Sequence, residues 1–173
     1  MPLSPLAAPL AVPLAVPLLA AALAATSAAR AEPANQLLGT WRMVSAQIDP
    51  DGRNRPAYGA RPNGLLVFTP DMRFIEVLTD FDVPRFASEA RGAGTAEENR
   101  AAMARNIGFF GTYTVDAAGA FSGNRVEGST FPNWVGDVRT TRELQLVVEG
   151  DRMRESFRRP DGTRIAITWE RLR

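Results

Sequence analysis

The sequence predicts an all-β domain, an eight-stranded antiparallel up-and-down β-barrel with one short helix inserted between strands 3 and 4. Two observations predict it. Short segments in which apolar and polar residues alternate recur along the chain, and most are joined by tight-turn sequences such as Glu149-Gly-Asp151 and Pro160-Asp-Gly162. Eight antiparallel strands in about 135 residues suit a closed barrel, which leaves no exposed edge and can enclose one small ligand. The alternative is a β-sandwich, but Greek-key sandwiches need long crossovers where this chain has short hairpins.

Residues 1–31 predict a signal peptide. Proline recurs every four residues from Pro5 to Pro17, which disfavours a membrane-spanning helix. The apolar run Leu18–Ala25 has the length of a signal-peptide core, and Ala29-Arg30-Ala31 offers small residues at the positions that signal peptidase reads. We therefore expect cleavage near Ala31, a periplasmic or secreted protein, and no stable membrane insertion of the mature chain. The alternative is a low-complexity extension, because the start carries no basic residue.

Residues 32–36 are a linker, and the barrel domain is predicted over residues 37–173. Turn-forming residues end the first strand at Asp49-Pro50-Asp51-Gly52 and join the second to the third at Thr69-Pro70-Asp71-Met72. The eight predicted strands are Leu38–Ile48, Leu65–Thr69, Arg73–Thr79, Phe109–Val115, Phe121–Ser129, Val138–Val148, Arg152–Arg159 and Thr163–Leu172.

The predicted helix begins at Thr95-Ala-Glu-Glu98, a capping box in which each side chain bonds the backbone amide of the other residue. Helix-forming residues continue to Asn106, and a modest apolar stripe around Met103 predicts packing by one face. The long loop before it, Asp80–Gly94, predicts a lid over the open end of the barrel, with Phe86 at the mouth.

The composition excludes several kinds of chemistry. All 20 basic residues are arginine, and the chain has no lysine, histidine or cysteine. These absences exclude a Ser-His pair, a thiolate nucleophile, a lysine Schiff base and metal sites built from imidazole or thiolate. We expect no cofactor and no metal. Without Arg30 the chain carries 19 basic and 19 acidic residues, a balance that argues against a nucleic-acid partner.

A Gly-x-Trp stands at the start of the first predicted strand, in Leu37-Leu38-Gly39-Thr40-Trp41. It resembles the N-terminal signature of lipocalins, in which the Trp plugs the closed end of the barrel beneath an Arg from the last strand. The resemblance implies this structural role for Gly39 and Trp41, with Arg171 contacting the indole through a cation–π interaction.

A longer set of motifs occurs in the order found in one family. They are YGARPNGLLVFTPD from Tyr58, PRFAS from Pro84, the Gly-Thr-x-Glu-Glu helix start at Gly94, FFGTYTVD from Phe109 and VEGSTFPNWVG from Val126. Together they resemble the bacterial and fungal lipocalin-like domain family, a branch of small calycin-type barrels. The resemblance implies the fold and leaves the activity open. Members commonly carry His just before Val-Glu-Gly, where this chain has Asn124-Arg125, so no imidazole role carries over.

The predicted cavity is mostly apolar and carries a few carboxylates. Period two puts Glu76 between large apolar residues on the third strand, and repeats this with Glu155 on the seventh. On the fifth strand it puts Arg125 and Glu127 on the face of Phe121. A buried carboxylate is costly without a partner, so we expect Arg125 or Arg142 to balance these charges. The alternative is that each glutamate faces outward.

The candidate ligand-binding residues are Tyr58, Phe74, Glu76, Phe86, Tyr113, Arg125, Glu127, Asn133, Trp134, Arg142 and Glu155.

Three functions compete. The first is a protein that binds a small lipophilic molecule in its cavity. The second is a cofactor-independent isomerase or cyclase, in which Glu76 or Glu127 moves a proton and Tyr113 or an arginine stabilises the developing charge. The third is an envelope protein that acts through a partner surface, with a barrel filled by its own side chains. The volume of the cavity discriminates the third from the other two.

Overall fold

The computed structural model describes residues 34–49 and 51–173, so the predicted signal peptide and the first two residues of the predicted linker lie outside the described residues. One α-helix, one short 3-10 helix at Pro132–Trp134 and ten strands occur in the described chain. The elements are β1 Gly39–Ile48, β2 Arg55–Pro56, β3 Pro62–Phe68, β4 Arg73–Asp80, α1 Ala96–Arg105, β5 Asn106–Val115, β6 Phe121–Ser129, β7 Val138–Thr140, β8 Leu144–Glu149, β9 Arg152–Arg158 and β10 Arg164–Leu172.

The strands form one antiparallel sheet that curls into a nearly closed barrel. Its order is β7-β6-β5-β4-β3-β1-β10-β9-β8, and the short β2 pairs with β1. The first and last long strands, β1 and β10, are paired from Thr40 with Leu172 to Ile48 with Ile165. The end strands of the sheet, β7 and β8, are not hydrogen-bonded to each other and are joined only by residues 141–143. The prediction of an all-β antiparallel barrel is therefore confirmed.

The predicted number of eight strands is wrong for two reasons. The first is the two-residue β2, which lies in what was predicted as a loop. The second is a turn that divides the predicted strand Val138–Val148 into β7 and β8. In this turn the backbone amide and the hydroxyl of Thr140 both donate to Oε2 of Glu143, at 2.9 and 2.6 Å. These bonds replace ladder bonds at the corner.

An indole closes one end of the barrel. Trp41 is fully buried, and its Nε1 donates to the carbonyl of Leu37 at 2.7 Å. The guanidinium of Arg171 lies over the Trp41 ring at 4.0 Å and donates to the carbonyl of Gln36 at 2.9 Å. Gly39 has φ +116°, and a Cβ there would stand 3.3 Å from Nη1 of Arg171. The glycine thus provides both the backbone conformation and the space that the plug requires.

Tyr113 belongs to this closed end. Its hydroxyl accepts from Nδ2 of Asn35 at 2.7 Å and donates to the carbonyl of Thr69 at 2.9 Å. Its ring packs edge-on against Phe68, with ring centroids 4.8 Å apart. The hydroxyl therefore joins the segment before β1 to the turn between β3 and β4.

The helix α1 is held at its ends by polar contacts. The capping box forms: Thr95 Oγ1 accepts from the Glu98 amide at 3.2 Å, and Glu98 Oε2 accepts from the Thr95 amide at 2.7 Å. At the other end, Nε of Arg105 donates to the buried carboxylate of Asp80 at 2.6 Å. No residue of α1 is buried, and Met103 is 51% exposed, so the predicted apolar stripe does not cover the barrel.

No helix in the described part of the chain has the length and apolar character needed to cross a membrane.

The prediction that Arg125 and Glu127 face the barrel interior from β6 is wrong. Both side chains are exposed and point outward. The register between β5 and β6 shifts twice, between Phe110 and Gly111 and between Thr114 and Val115. Because one inserted residue reverses the alternation of a strand, Phe121 remains inside while Arg125 moves outside. Glu127 accepts from Nη1 of Arg73 at 3.0 Å on the outer surface.

Candidate functional site

A cleft of about 1100 Å³ opens at the end of the barrel opposite the Trp41 plug. The end of α1, the start of β5, the 3-10 helix and β7 form one side. The corner between β7 and β8, the end of β9 and the turn after it form the other. The 3-10 helix is placed by Pro132 at its first position, which presets the backbone angle, and by the turn bond from the Trp134 amide to the Phe131 carbonyl.

Arg139 lies at the floor of this cleft, held among three aromatic rings. It is only 5% exposed, and its guanidinium lies 4.5 Å from the ring centre of Trp134, 4.8 Å from Phe157 and 5.4 Å from Phe109. The Trp134 ring meets Phe109 and Phe157 edge-on, with ring centroids 5.2 and 6.0 Å apart. We call Phe109, Trp134 and Phe157 the aromatic cage. Such a cage stabilises a desolvated cation by about 2 kcal/mol or more.

Beneath Arg139 two glutamates share a small void of about 10 Å³, the space of roughly one water molecule. Glu76 is 4% and Glu155 5% exposed. Oε2 of Glu155 accepts from Nε1 of Trp169 at 2.9 Å. Tyr58 lines both this void and the cleft above it.

Burial dominates the electrostatics of the glutamates. It raises the pKa of Glu76 well above its usual range, and the neighbouring Glu155 raises it further, whereas Arg139 opposes the shift. Burial also raises the pKa of Glu155 to about 7, against the hydrogen bond from Trp169 and the charge of Arg139. The pKa of Tyr58 rises too, through burial and through both glutamates. Burial lowers the pKa of Arg139, but Glu76, Asp137 and Glu155 oppose that effect and an arginine stays charged.

Three buried polar atoms in this half of the barrel have no hydrogen-bond partner among the described residues: Oε1 of Glu76, Nη2 of Arg139 and Oδ1 of Asn124. The acid nearest to Nη2 of Arg139 is Asp137, whose Oδ2 is 3.9 Å away, too far for a hydrogen bond. A buried donor without a partner costs about 1–3 kcal/mol, so Nη2 of Arg139 is an energetically costly feature of the site.

Residues 38–172 match the sequence model of the lipocalin-like domain. The chain belongs to the lipocalin-like domain family. No curated protein matches the chain. Among solved structures it is similar to a redesigned β-barrel, with 16% sequence identity over 82% of this chain and 96% of that chain and a TM-score of 0.43. The lipocalin-like barrel is a fold suited to holding a small molecule.

In this lipocalin-like barrel four of the sequence-predicted residues come together. Tyr58, Glu76, Trp134 and Glu155 surround the small void. Asn133 and Arg142 line the wider cleft above it, where Arg142 lies close to Glu143 and far from the buried carboxylates.

The other predicted residues lie elsewhere. Phe74 packs in the core against Phe109, with ring centroids 5.8 Å apart, and does not border the cleft. Tyr113 is at the closed end, and Arg125 and Glu127 are on the outer surface. Phe86 is 39% exposed, and no residue of the predicted lid lines the cleft. Instead the Ala87 amide donates to Glu98 at 2.8 Å, which ties the loop to α1.

Sequence reasoning missed Arg139, the central residue of the site. A single strand over Val138–Val148 places Leu144 and Leu146 inside, and therefore Arg139 outside. The turn at Thr140–Glu143 reverses the alternation, so Arg139 points inward. The available signal was the Thr-x-x-Glu pattern of that turn, which is the same spacing as a capping box.

Proposed function

We propose that this lipocalin-like protein binds a small amphipathic molecule in the cleft at the open end of its barrel. The observation that supports this is the space itself, about 1100 Å³, with Arg139 and the aromatic cage at its floor. Cavities of this size, with aromatic walls and a few convergent polar groups, are typical of small-molecule sites. The predicted cavity inside the barrel is not present, because side chains fill the interior below Arg139 down to a void of about 10 Å³, which is what the partner-surface function predicted. The space for a small molecule lies instead in the cleft at the mouth.

The ligand we propose differs from the mostly apolar molecule that the sequence predicts. Trp134, Phe157 and Phe131 offer an apolar surface for a hydrophobic or aromatic body. The end of β9 and the turn after it also carry Arg158 and Arg159 beside acidic groups, which suit polar ends of a ligand. A purely lipophilic molecule would leave these charged groups without partners.

A fluorescence titration with N-phenyl-1-naphthylamine, a neutral probe that fluoresces in apolar sites, tests the location. Ala104 lines the cleft from the exposed face of α1, and Ala104→Trp should fill part of the cleft and weaken probe binding about tenfold or more. The matched control is Ala96→Trp at the other end of the same helix, where the same substitution leaves the cleft unchanged. Equal affinity of both variants would contradict binding in the cleft, as would absence of probe binding to the parent protein.

Native mass spectrometry of the protein purified from its own host can identify the natural ligand. We expect an added mass that disappears on organic extraction, and ligand-dependent stabilisation by mass action when the extract is returned.

A second candidate function is proton transfer by a cofactor-independent isomerase or cyclase. One observation favours it: burial raises the pKa of Glu155 to about 7, a value at which a carboxyl group can both take and give a proton. Against it stands the void of about 10 Å³, which leaves no room for a substrate beside either glutamate. Glu127 and Tyr113, the other predicted catalytic groups, lie outside the barrel and at its closed end. We therefore favour binding.

We also propose that the chain is exported, with removal of residues 1–31. The support is the apolar core and the Ala29-Arg30-Ala31 sequence. The mass of the mature N-terminus in the native host tests the proposal, and an intact Met1 would contradict it.

A further inference from the structure

We propose that the cleft takes a small organic anion at Arg139, and that the Glu76 and Glu155 pair beneath it takes up a proton when the anion binds. The proposal rests on the proposed function, because it assigns a ligand class to the same cleft. It adds two statements that small-molecule binding alone does not make: the ligand is an anion, and its binding is coupled to the uptake of a proton.

The first step is the state of Arg139. Its side chain is nearly buried and borders the cleft, and its Nη2 has no hydrogen-bond partner among the described residues. The aromatic cage fixes the guanidinium plane, so little further ordering is needed when a planar anion such as a carboxylate binds it. Glu76 and Glu155 act on Arg139 from below, and Asp137 lies 3.9 Å from Nη2 with its side chain about half exposed. Because Nη2 is buried, an anion from the cleft reaches it when exposed groups such as Asp137 move aside.

The second step is the charge around the cleft. Four arginines line it, at positions 139, 142, 158 and 159, with three acids at positions 137, 143 and 161. Arg142 is paired with Glu143 at 3.9 Å, whereas Arg158 and Arg159 form no ion pair with the described residues. The unpaired charge at the mouth is therefore positive, which favours an anion over a cation.

The third step links the anion to the proton. Arg139 is the charge that lowers the pKa of both buried glutamates. An anion on Arg139 adds a negative charge close to both carboxyl groups, which raises their pKa again. A carboxyl group that is partly ionised near neutral pH then takes up a proton.

The surroundings of the pair contain few other groups that titrate. Tyr58 faces the glutamates from the loop after β2, and Arg159 faces Tyr58. Arg139 faces them from β7 and has Asp137 beside it. The remaining walls of the void, from β4, β5, β9 and β10, are apolar. The chain has no histidine, so Glu155, whose pKa burial raises to about 7, is the side chain placed to titrate near neutral pH.

The experiment compares two probes that differ by one charged group. 1-Anilino-8-naphthalenesulfonate carries a sulfonate that is ionised throughout the pH range, and N-phenyl-1-naphthylamine is the same molecule without it. Fluorescence titrations from pH 5.5 to 9 should give a Kd for the sulfonate that is constant at low pH. That Kd should rise once the pH passes about 7, by up to about tenfold per pH unit. The Kd of the neutral N-phenyl-1-naphthylamine should stay constant.

Three variants separate the parts of the proposal. Arg139→Met should weaken binding of the sulfonate about tenfold or more beyond any change in binding of the neutral N-phenyl-1-naphthylamine. Asp137→Asn should lower the Kd of the sulfonate, because it removes the carboxylate that competes with the sulfonate for Arg139. The double variant Glu76→Gln with Glu155→Gln should bind the sulfonate with a Kd that no longer depends on pH.

Calorimetry on the parent protein keeps the test independent of how the variants fold. Sulfonate binding measured in phosphate and in Tris, which differ in ionisation enthalpy, should show uptake of up to one proton. Equal affinities of the two probes at every pH, or zero proton uptake, would overturn the inference and leave cleft binding intact. Failure of both probes to bind would overturn the proposed function, and the inference with it. Sulfonate binding that Ala104→Trp does not weaken would place the anion outside the cleft and overturn the inference alone.

Discussion

At the scale of single residues, Arg139, Glu76 and Glu155 form one electrostatic unit. A lone carboxylate in this interior would be protonated, and a lone guanidinium would lack a counter-charge. Arg139 opposes the rise in the pKa of both glutamates, whereas Glu155 adds to the rise in the pKa of Glu76, and the glutamates in turn favour the charged form of Arg139. Their combined protonation state therefore sets part of the stability of the fold.

The stability of the protein should fall as the pH rises from about 5 to 8. In the unfolded chain both glutamates release their protons near the ordinary pKa of 4.5, whereas Glu155 in the folded protein holds its proton up to about 7. Between these values the unfolded state binds fewer protons, so the free energy of unfolding decreases with pH. The stabilisation is complete below pH 4.5 and lost above about 7. Urea unfolding at several pH values should show a decrease of roughly 1–3 kcal/mol.

The control for this measurement is the double variant Glu76→Gln with Glu155→Gln, which should remove most of the pH dependence. The change Glu155→Gln keeps a side-chain oxygen that can accept the hydrogen bond from Trp169. A parent protein whose stability rises over this range, or a variant with the parent's slope, would show that other groups are responsible.

The inward position of Glu76 and Glu155 was predictable because β4 and β9 are uninterrupted and period two applies along their whole length. The positions of Arg125 and Arg139 were not predictable in the same way. A bulge in the β5–β6 pairing precedes Arg125, and a corner of the chain comes directly after Arg139. Each irregularity reverses the alternation of inward and outward side chains. Irregularities of one residue leave little trace in composition, yet they decide which charge reaches the interior.

At the scale of elements, α1 is attached to the barrel mainly by the ion pair between Arg105 and the fully buried side chain of Asp80. Asp80 also accepts from the Asp82 amide at 2.8 Å, so one carboxylate holds both the helix and the start of the loop. Because α1 forms one side of the cleft, this contact positions a wall of the site.

Asp80→Asn should lower the free energy of unfolding by about 1–3 kcal/mol, because it removes the charge from a buried hydrogen-bonded acceptor. It should also increase hydrogen exchange in α1 relative to the strands. The matched control is Glu89→Gln in the neighbouring exposed pair Arg85–Glu89, where the change should stay within about 0.5 kcal/mol. Equal effects of the two substitutions would show that α1 has another attachment.

The start of α1 could be read from the sequence because a capping box consists of local contacts between residues three apart. The position of the loop before it could not. That loop follows the helix through the bond from Ala87 to Glu98, instead of covering the cleft. A tertiary contact of this kind has no periodic signature.

At the scale of the whole molecule, the three tryptophans report on three regions. Trp41 plugs the closed end, Trp169 lies in the core above Glu155, and Trp134 is partly exposed at the mouth. The barrel as a fold was predictable from its hairpins and motifs. The free volume was not, because it depends on how side chains from every strand fill the interior.

Acrylamide quenching should separate these regions. Trp134 is the one tryptophan with solvent exposure, so Trp134→Phe should remove most of the quenching of the folded protein. Saturation of the parent with N-phenyl-1-naphthylamine should have the same effect by covering Trp134. Strong quenching that persists in Trp134→Phe would indicate that the closed end or the core admits the quencher.

The edge between β7 and β8 is the one seam of the described barrel without a hydrogen-bonded ladder. Separation of these two strands breaks no interstrand bond of the sheet, whereas every other neighbouring pair is held by its ladder. The wall of the barrel should therefore open first along this seam, beside Arg139, before any paired strands separate.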